Sequence, residues 1–260
     1  MNLTIIGNSS ASPRPDRRPS CQALEHNQSV FLIDCGEGSQ FQLIRYHQKL
    51  RNIDHILISH LHGDHFYGII GLISTFYLNK RIKPLHIYSN EKLKSIIDIQ
   101  LEITETILSF PIIYHDLVPA KSEVIFESET LLITAFPLNH RIPTHGFYFE
   151  EKSLMNNASE NKSFAYCSDT LFDPTIAEYF QNVSLLYHEA TFGDEKVESA
   201  ALKFHSTASQ AGEIAKLANA KQLIIGHFSA KYNDPNILLD QAKCIFNNTE
   251  IATEGKYYAI

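Results

Sequence analysis

The stretch Ile58-Ser59-His60-Leu61-His62-Gly63-Asp64-His65-Phe66-Tyr67-Gly68 decides how this chain is read. It follows a β-branched run. On an extended strand end, residues two apart project to the same side, so His60 and His62 can approach one metal ion together. Gly63 permits a sharp turn that throws Asp64 and His65 forward from the start of a helix, within reach of a second ion. Four nitrogen and oxygen donors within six residues suit borderline Zn²⁺ better than a hard ion such as Mg²⁺. The plain alternative is a polar loop with coincidental histidines, and the spacing argues against it.

Two ions sharing a water need more than four side chains, so three further ligands are wanted. His140 follows the apolar run 131–136, Asp169 follows 164–167, and His227 ends the run Leu223-Ile224-Ile225-Gly226. Each stands at the end of a predicted strand, where a sheet-edge site collects ligands from distant parts of the chain, and an aspartate can bridge two ions through its two oxygens. Taken singly, each would be a turn or capping residue; beside His60 to His65 they read as ligands.

Short β-branched or aromatic runs predict strands at 3–6, 30–33, 55–58, 85–88, 123–126, 131–136, 147–149, 164–167, 185–187 and 223–225. Helical periodicity falls at 40–46, 66–78, 92–107, 208–218 and 236–246. Asp173-Pro174 and Asp234-Pro235 set a capping carboxylate before a proline, and Thr207 with Gln210 makes a capping box. The strands cluster in two sets, before Tyr88 and after Glu123, each with helices. That pattern fits an α/β chain folded as an αββα sandwich. Residues 150–162, rich in Asn and Ser, read as a surface loop.

Composition bounds the function. A chain of 260 residues, 44% hydrophobic and 20% charged, is read as one domain over 1–260. Residues 1–18 hold no signal-peptide core and no later run is apolar enough to span a bilayer, so a soluble cytoplasmic protein with no membrane association is expected. Cys21, Cys35, Cys167 and Cys244 are widely separated and read as core thiols, neither a disulfide framework nor a thiolate metal site. The net charge of −7 argues against non-specific nucleic-acid affinity, so any RNA contact must be local.

The His-x-His-x-Asp-His core resembles the metallo-β-lactamase superfamily, and further motifs narrow the resemblance to ribonuclease Z. These are Asp34-Cys35-Gly36-Glu37-Gly38-Ser39-Gln40, His188-Glu189-Ala190-Thr191-Phe192, His205-Ser206-Thr207-Ala208 and His227-Phe228-Ser229-Ala230-Lys231-Tyr232. The resemblance spans nearly the whole chain. It implies a sandwich of the metallo-β-lactamase type, a homodimer, and removal of the 3′ trailer from precursor tRNA by phosphodiester hydrolysis. It also implies two Zn²⁺ per chain: one held by His60, His62 and His140, the other by Asp64, His65 and His227, with Asp169 bridging. A bridging water is then the nucleophile, and Asp64 doubles as its proton acceptor. His205 becomes the acid that protonates the leaving alkoxide, tuned by Glu189.

Asp34 is read as orienting a ligand histidine or, equally, as capping the turn after its strand. His188 is read as a core or orienting residue, and His26, His47, His55, His86, His115 and His145 as ordinary surface or core histidines. For RNA the candidate cations are Lys231 and Arg141, beside predicted ligands, and Arg14, Arg17 and Arg18 in the loop after the first strand. Bacterial ribonuclease Z typically carries a long tRNA-gripping arm between the fourth histidine ligand and the bridging aspartate. Here only 28 residues separate His140 from Asp169, which leaves no room for one. That shortfall favours a second reading, a hydrolase of smaller phosphodiesters; a third is a non-catalytic RNA-binding partner. The latter is disfavoured because all seven ligand positions are filled.

Overall fold

The computed structural model describes residues 1–12, 14–152 and 162–260. They form two compact units: Asn2–Val118 with Thr253–Ala259, and Pro119–Ala252 with Met1 and Ile260. The expected loop at 150–162 falls largely outside the described residues, although Glu150 and Glu151 prove to belong to a strand.

The first unit is built on β1 (Asn2–Gly7), β2 (Cys21–His26), β3 (Ser29–Ile33), β4 (Ile53–Leu57), β5 (Leu85–Ser89) and β6 (Ile112–Asp116). These six lie side by side in chain order, and the C-terminal strand Tyr257–Ala259 closes the sheet beside β1. The strands up to β3 run antiparallel, whereas β3 to β6 are parallel. Parallel neighbours need crossover connections. The crossovers here carry α1 (Ser39–Arg45), α2 (Gly63–Phe66), α3 (Ile69–Leu78) and α4 (Lys92–Ile103). Ile56, Ile58 and Ile87 share a core with Ile69, Leu72, Phe76, Leu93 and Ile97.

Two helices depart from the sequence expectation. The helix expected at 66–78 is broken at Tyr67-Gly68, because the Gly68 amide donates to the Cys35 carbonyl at 2.9 Å. A Cβ on Gly68 would stand 2.1 Å from the Gly36 carbonyl oxygen, so only glycine lets this turn close on the Asp34-Cys35-Gly36 loop. The helix expected to reach 107 stops at Ile103. Glu105 takes a left-handed φ of 50°, and the amides of Glu105 and Thr106 return to the carbonyls of Glu102 and Leu101. This is the Schellman stop with glutamate in the usual glycine position, so no glycine announced it.

The second unit holds β7 (Glu123–Glu127), β8 (Leu131–Leu138), β9 (Thr144–Glu151), β10 (Ser163–Cys167), β11 (Leu185–Glu189), β12 (Gln222–Gly226) and β13 (Thr249–Ile251). They too are adjacent in chain order. The run from β7 to β10 is antiparallel and that from β10 to β13 parallel. Its helices are α5 (Val197–Leu202), α6 (Ala208–Leu217) and α7 (Asn236–Ile245), with a 3₁₀ segment at Pro174–Phe180. Leu186, Leu223 and Ile225 pack with Phe180, Ala211, Ile214, Leu238 and Ala242.

The starting signals hold locally. Asp173 accepts the Thr175 amide, Asp234 accepts the Asn236 amide, and Thr207 and Gln210 form both bonds of the capping box. Three cysteines are buried as expected, but Cys244 on α7 is exposed, so the core-thiol reading fails there. In each unit the ends of parallel strands, where α/β sheets collect ligands, lead into residues singled out by sequence, while His140 follows the antiparallel β8.

Candidate metal centre

In the first unit the site grows from Asp34, which is fully buried and held at a φ of 56° just after β3. One carboxylate oxygen accepts the Ser59 amide at 2.8 Å. The other accepts the Ser59 hydroxyl at 3.0 Å and His65 Nδ1–H at 2.7 Å. The Ser59 oxygen in turn accepts from His60 Nδ1 at 3.0 Å. One carboxylate therefore ties the Nδ1 of His65 directly and that of His60 through a hydroxyl, which leaves both Nε2 atoms as lone-pair donors.

His60 Nε2 stands 3.0 Å from His62 Nδ1, and His65 Nε2 stands 3.5 Å from an Asp64 oxygen. Two imidazole nitrogens about 2.0–2.1 Å from one ion at a near-tetrahedral angle sit roughly 3.3 Å apart. The donor spacing fits a divalent cation. Gly63 plays a different part from the one expected. It is the first residue of α2, and a Cβ there would meet the Tyr67 ring at 2.2 Å, so it provides room for that ring.

In the second unit the buried hub is Glu189, at the end of β11. Oε1 accepts the Thr170 amide at 3.1 Å, the Ser206 amide at 3.1 Å and His205 Nδ1–H at 2.9 Å. Oε2 accepts the Thr191 amide at 3.0 Å and its hydroxyl at 2.6 Å. Burial alone would raise the pKa of this carboxyl. His205, by its charge and its hydrogen bond, outweighs that and holds it below the usual carboxylate range.

The Thr191 oxygen accepts from His227 Nδ1 at 2.8 Å, which frees His227 Nε2 to lie 3.2 Å from Asp169 Oδ1. His140 donates Nδ1–H to the Phe204 carbonyl at 2.8 Å, and its Nε2 lies 3.8 Å from Asp169 Oδ2. Burial also pushes the His140 pKa down, which favours the neutral, ligating imidazole. His205 Nδ1 comes within 4.0 Å of Asp169, so by distance alone it could be counted as a ligand. Its Nδ1 hydrogen is committed to Glu189, as that of His140 is to the Phe204 carbonyl, so its Nε2 is the nitrogen left open.

Asp34 thus takes the orienting role, and Glu189 touches His205 directly. His188 is fully buried with Nδ1 bonded to the Glu189 carbonyl, a core residue. Lys231 and Arg141 are exposed. In the loop after β1, Arg14 pairs with Asp16, while Arg18 donates to the Arg14, Pro15 and Arg17 carbonyls, so these groups hold the loop itself. His55, His86 and His115 stack in a ladder across β4, β5 and β6. Sequence reasoning missed Ser59, Thr191 and Phe204. All three lie in or beside the quoted motifs, but nothing in a hydroxyl or a carbonyl marks it in advance as the partner of a distant imidazole.

Residues 1–243 match, and place the chain in, the family whose model is described as anti-Pycsar protein Apyc1. Ribonuclease Z of Phocaeicola vulgatus is 39% identical, with 96% of this chain and 94% of the relative covered. Ribonuclease Z of Cytophaga hutchinsonii is 40% identical, covering 99% and 96%. The chain belongs to the ribonuclease Z family. Human tRNase Z, short form, superimposes with a TM-score of 0.86 at 30% identity, over 100% of this chain and 99% of that one. The metallo-β-lactamase fold protein YhfI of Bacillus subtilis, at 20% identity and a TM-score of 0.79 over 99% and 98% of the two chains, agrees in fold. The expected metallo-β-lactamase type of α/β fold is therefore met.

Ribonuclease Z membership and the donor set together imply divalent metal binding. The alignment to the P. vulgatus protein runs over 291 positions, more than the 260 residues present here, so that ribonuclease Z carries inserted residues that this one lacks. Asp34→Ala should release His60 and His65 from their fixed orientation and weaken metal affinity about 10- to 100-fold, read by chelator competition. Unchanged affinity would show that Asp34 only caps its turn.

Proposed function

We propose that this chain is a zinc-dependent endoribonuclease that removes the 3′ trailer from tRNA precursors by hydrolysing a phosphodiester bond. The observation that carries this reading is the identity to ribonuclease Z along almost the whole chain, with every expected ligand type in place. Two zinc ions per chain would be held by His60, His62 and His140 and by Asp64, His65 and His227, with Asp169 available to both. When bound, they would supply a water of lowered pKa and positive charge for the phosphoryl oxygens.

The chain's own groups handle the protons. Asp64 takes the proton from the attacking water. His205 gives one to the leaving alkoxide from Nε2, since Nδ1–H stays on Glu189. Lys231 and Arg141 contact phosphates of precursor tRNA, local cations on a chain of net charge −7.

A cytoplasmic location suits this substrate, and among the described residues no helix is long and apolar enough to cross a membrane. A homodimer is supported by α1 and α3, which pack together and leave Phe41 70% and Leu78 74% exposed alongside Ile44. A second reading, a hydrolase of smaller phosphodiesters, is favoured by the 28-residue spacing between His140 and Asp169.

Asp169→Ala should lose metal and activity together, whereas His205→Ala should keep its metal and turn over about 10²-fold more slowly. A nitrophenyl diester, whose leaving group needs no protonation, should feel the loss of His205 far less; equal damage to both substrates would remove His205 from the acid role. Cleavage of precursor tRNA at its 3′ side, with a raised KM and strong salt sensitivity, is expected beside hydrolysis of the small diester. Brisk small-diester hydrolysis with no tRNA cleavage at any enzyme concentration would promote the second reading. Phe41→Glu should sediment as a monomer where the parent sediments as a dimer, and an unchanged dimer would place the interface elsewhere.

A further inference from the structure

Beside His205, within the second unit, lies a cavity of about 250 Å³ lined by Phe192, Glu195, Lys196, Lys203, Lys231 and Tyr232. Its position follows from the chain. Helix α5 ends in a Schellman turn in which Phe204 takes a φ of 58° and His205 N–H returns to the Ala200 carbonyl. That turn aims His205 at Glu189 and leaves Lys203, two residues earlier, over the face of Phe192 at 5.7 Å. The rings of Phe192 and His205 are 5.9 Å apart. Cavity and acid therefore share a wall.

The lining is chemically mixed in a particular way. Three ammonium groups face one carboxylate, and among the described residues none of Lys196, Lys203 and Lys231 makes an ion pair within 4.0 Å. Phe192 is buried and forms an apolar wall, joined by the half-buried ring of Tyr232. The Tyr232 hydroxyl is fixed, donating to Glu195 at 2.6 Å and accepting the Gly193 amide at 2.8 Å. A bare anion would need only the lysines and would be repelled by Glu195. A nucleotide uses every element: phosphates on the ammonium groups, a base against the half-buried ring of Tyr232, and a ribose hydroxyl or base amino group donating to the carboxylate.

We propose that this cavity is a nucleotide subsite for single-stranded RNA, receiving the nucleotide whose sugar oxygen His205 protonates. The assignment rests on the endoribonuclease reading for its orientation relative to the cut. The leaving oxygen must lie at the acid, and the nucleotide bearing it must lie on the acid's side, where Phe192 and the lysines are. The subsite also provides the local positive charge that the composition of the whole chain does not.

The test uses zinc-loaded protein and a short single-stranded RNA with phosphorothioate linkages, which resists hydrolysis, followed by fluorescence anisotropy over a range of salt. Each lysine that holds a phosphate contributes roughly 0.7 to the slope of log affinity against log salt, so Lys196→Ala with Lys203→Ala should lower the slope by about 1.4. Tyr232→Leu should weaken binding on the order of tenfold with the slope unchanged, as loss of a stacked base does. The lysines are exposed, so their variants decide the matter even if Tyr232→Leu fails to fold. An unchanged slope and affinity in the double lysine variant would overturn the subsite. Inorganic phosphate competing as well as a nucleoside monophosphate would overturn the nucleotide assignment. Lysine-dependent binding in a protein that leaves precursor tRNA uncut would keep the subsite and overturn the tRNA reading. Correct processing with lysine-independent binding would do the reverse.

Discussion

A carboxylate removed from water must be surrounded by donors, and in each unit of this protein that requirement is met by the residues that need to be aimed. Glu189 satisfies its two oxygens with three backbone amides, one hydroxyl and the Nδ1–H of His205. Asp34 does the same with one amide, one hydroxyl and the Nδ1–H of His65. Both carboxylates extend their hold by one step, Asp34 through Ser59 to His60 and Glu189 through Thr191 to His227. Loss of either carboxylate would leave several buried donors unpaired, at a cost of about 1–3 kcal/mol each. The network is therefore a structural necessity and a steering device at once.

The same requirement explains where backbone strain sits. Asp34, Phe204 and His227 all adopt left-handed backbone, with φ between 56° and 58°, although none is glycine. Such conformations cost of order 1–3 kcal/mol each and persist only where the surroundings over-determine them. Here they do: Asp34 and His227 must turn out of strands β3 and β12 and still reach Ser59 and Thr191. Phe204 must turn its carbonyl to His140 while the following residue faces Glu189. Glycine would ease each turn but would remove the carboxylate or imidazole at Asp34 and His227.

Charge is organised on the same local scale. A chain of net charge −7 has no general attraction for RNA, so binding has to come from particular places. The arginines of the loop after β1 are engaged within that loop. The lysines around Phe192 lie in a cavity whose other groups suit a nucleotide, next to the histidine assigned to the leaving oxygen.

Much of this protein was legible from its residues alone. The donor types in His60 to His65, and His140, Asp169 and His227 at the ends of apolar runs, follow from local spacing, because strand alternation and turn chemistry are properties of a few consecutive residues. Ten of the strands and the main helices were readable for the same reason. Strands β2, β6 and β13 and the C-terminal strand were not. β2 is buried on both faces and lacks alternation, and the C-terminal strand exists only by pairing with β1 at the other end of the chain. The stop of α4 was hidden because glutamate occupies its left-handed position. Spacing names the histidines, but which nitrogen of each is left to bind depends on where the other nitrogen's hydrogen goes. Those partners lie 31 residues away for His65, 36 for His227 and 64 for His140. Only the folded chain brings them within hydrogen-bond reach, and so only the tertiary structure decided which imidazole nitrogens are tied down and which are left open.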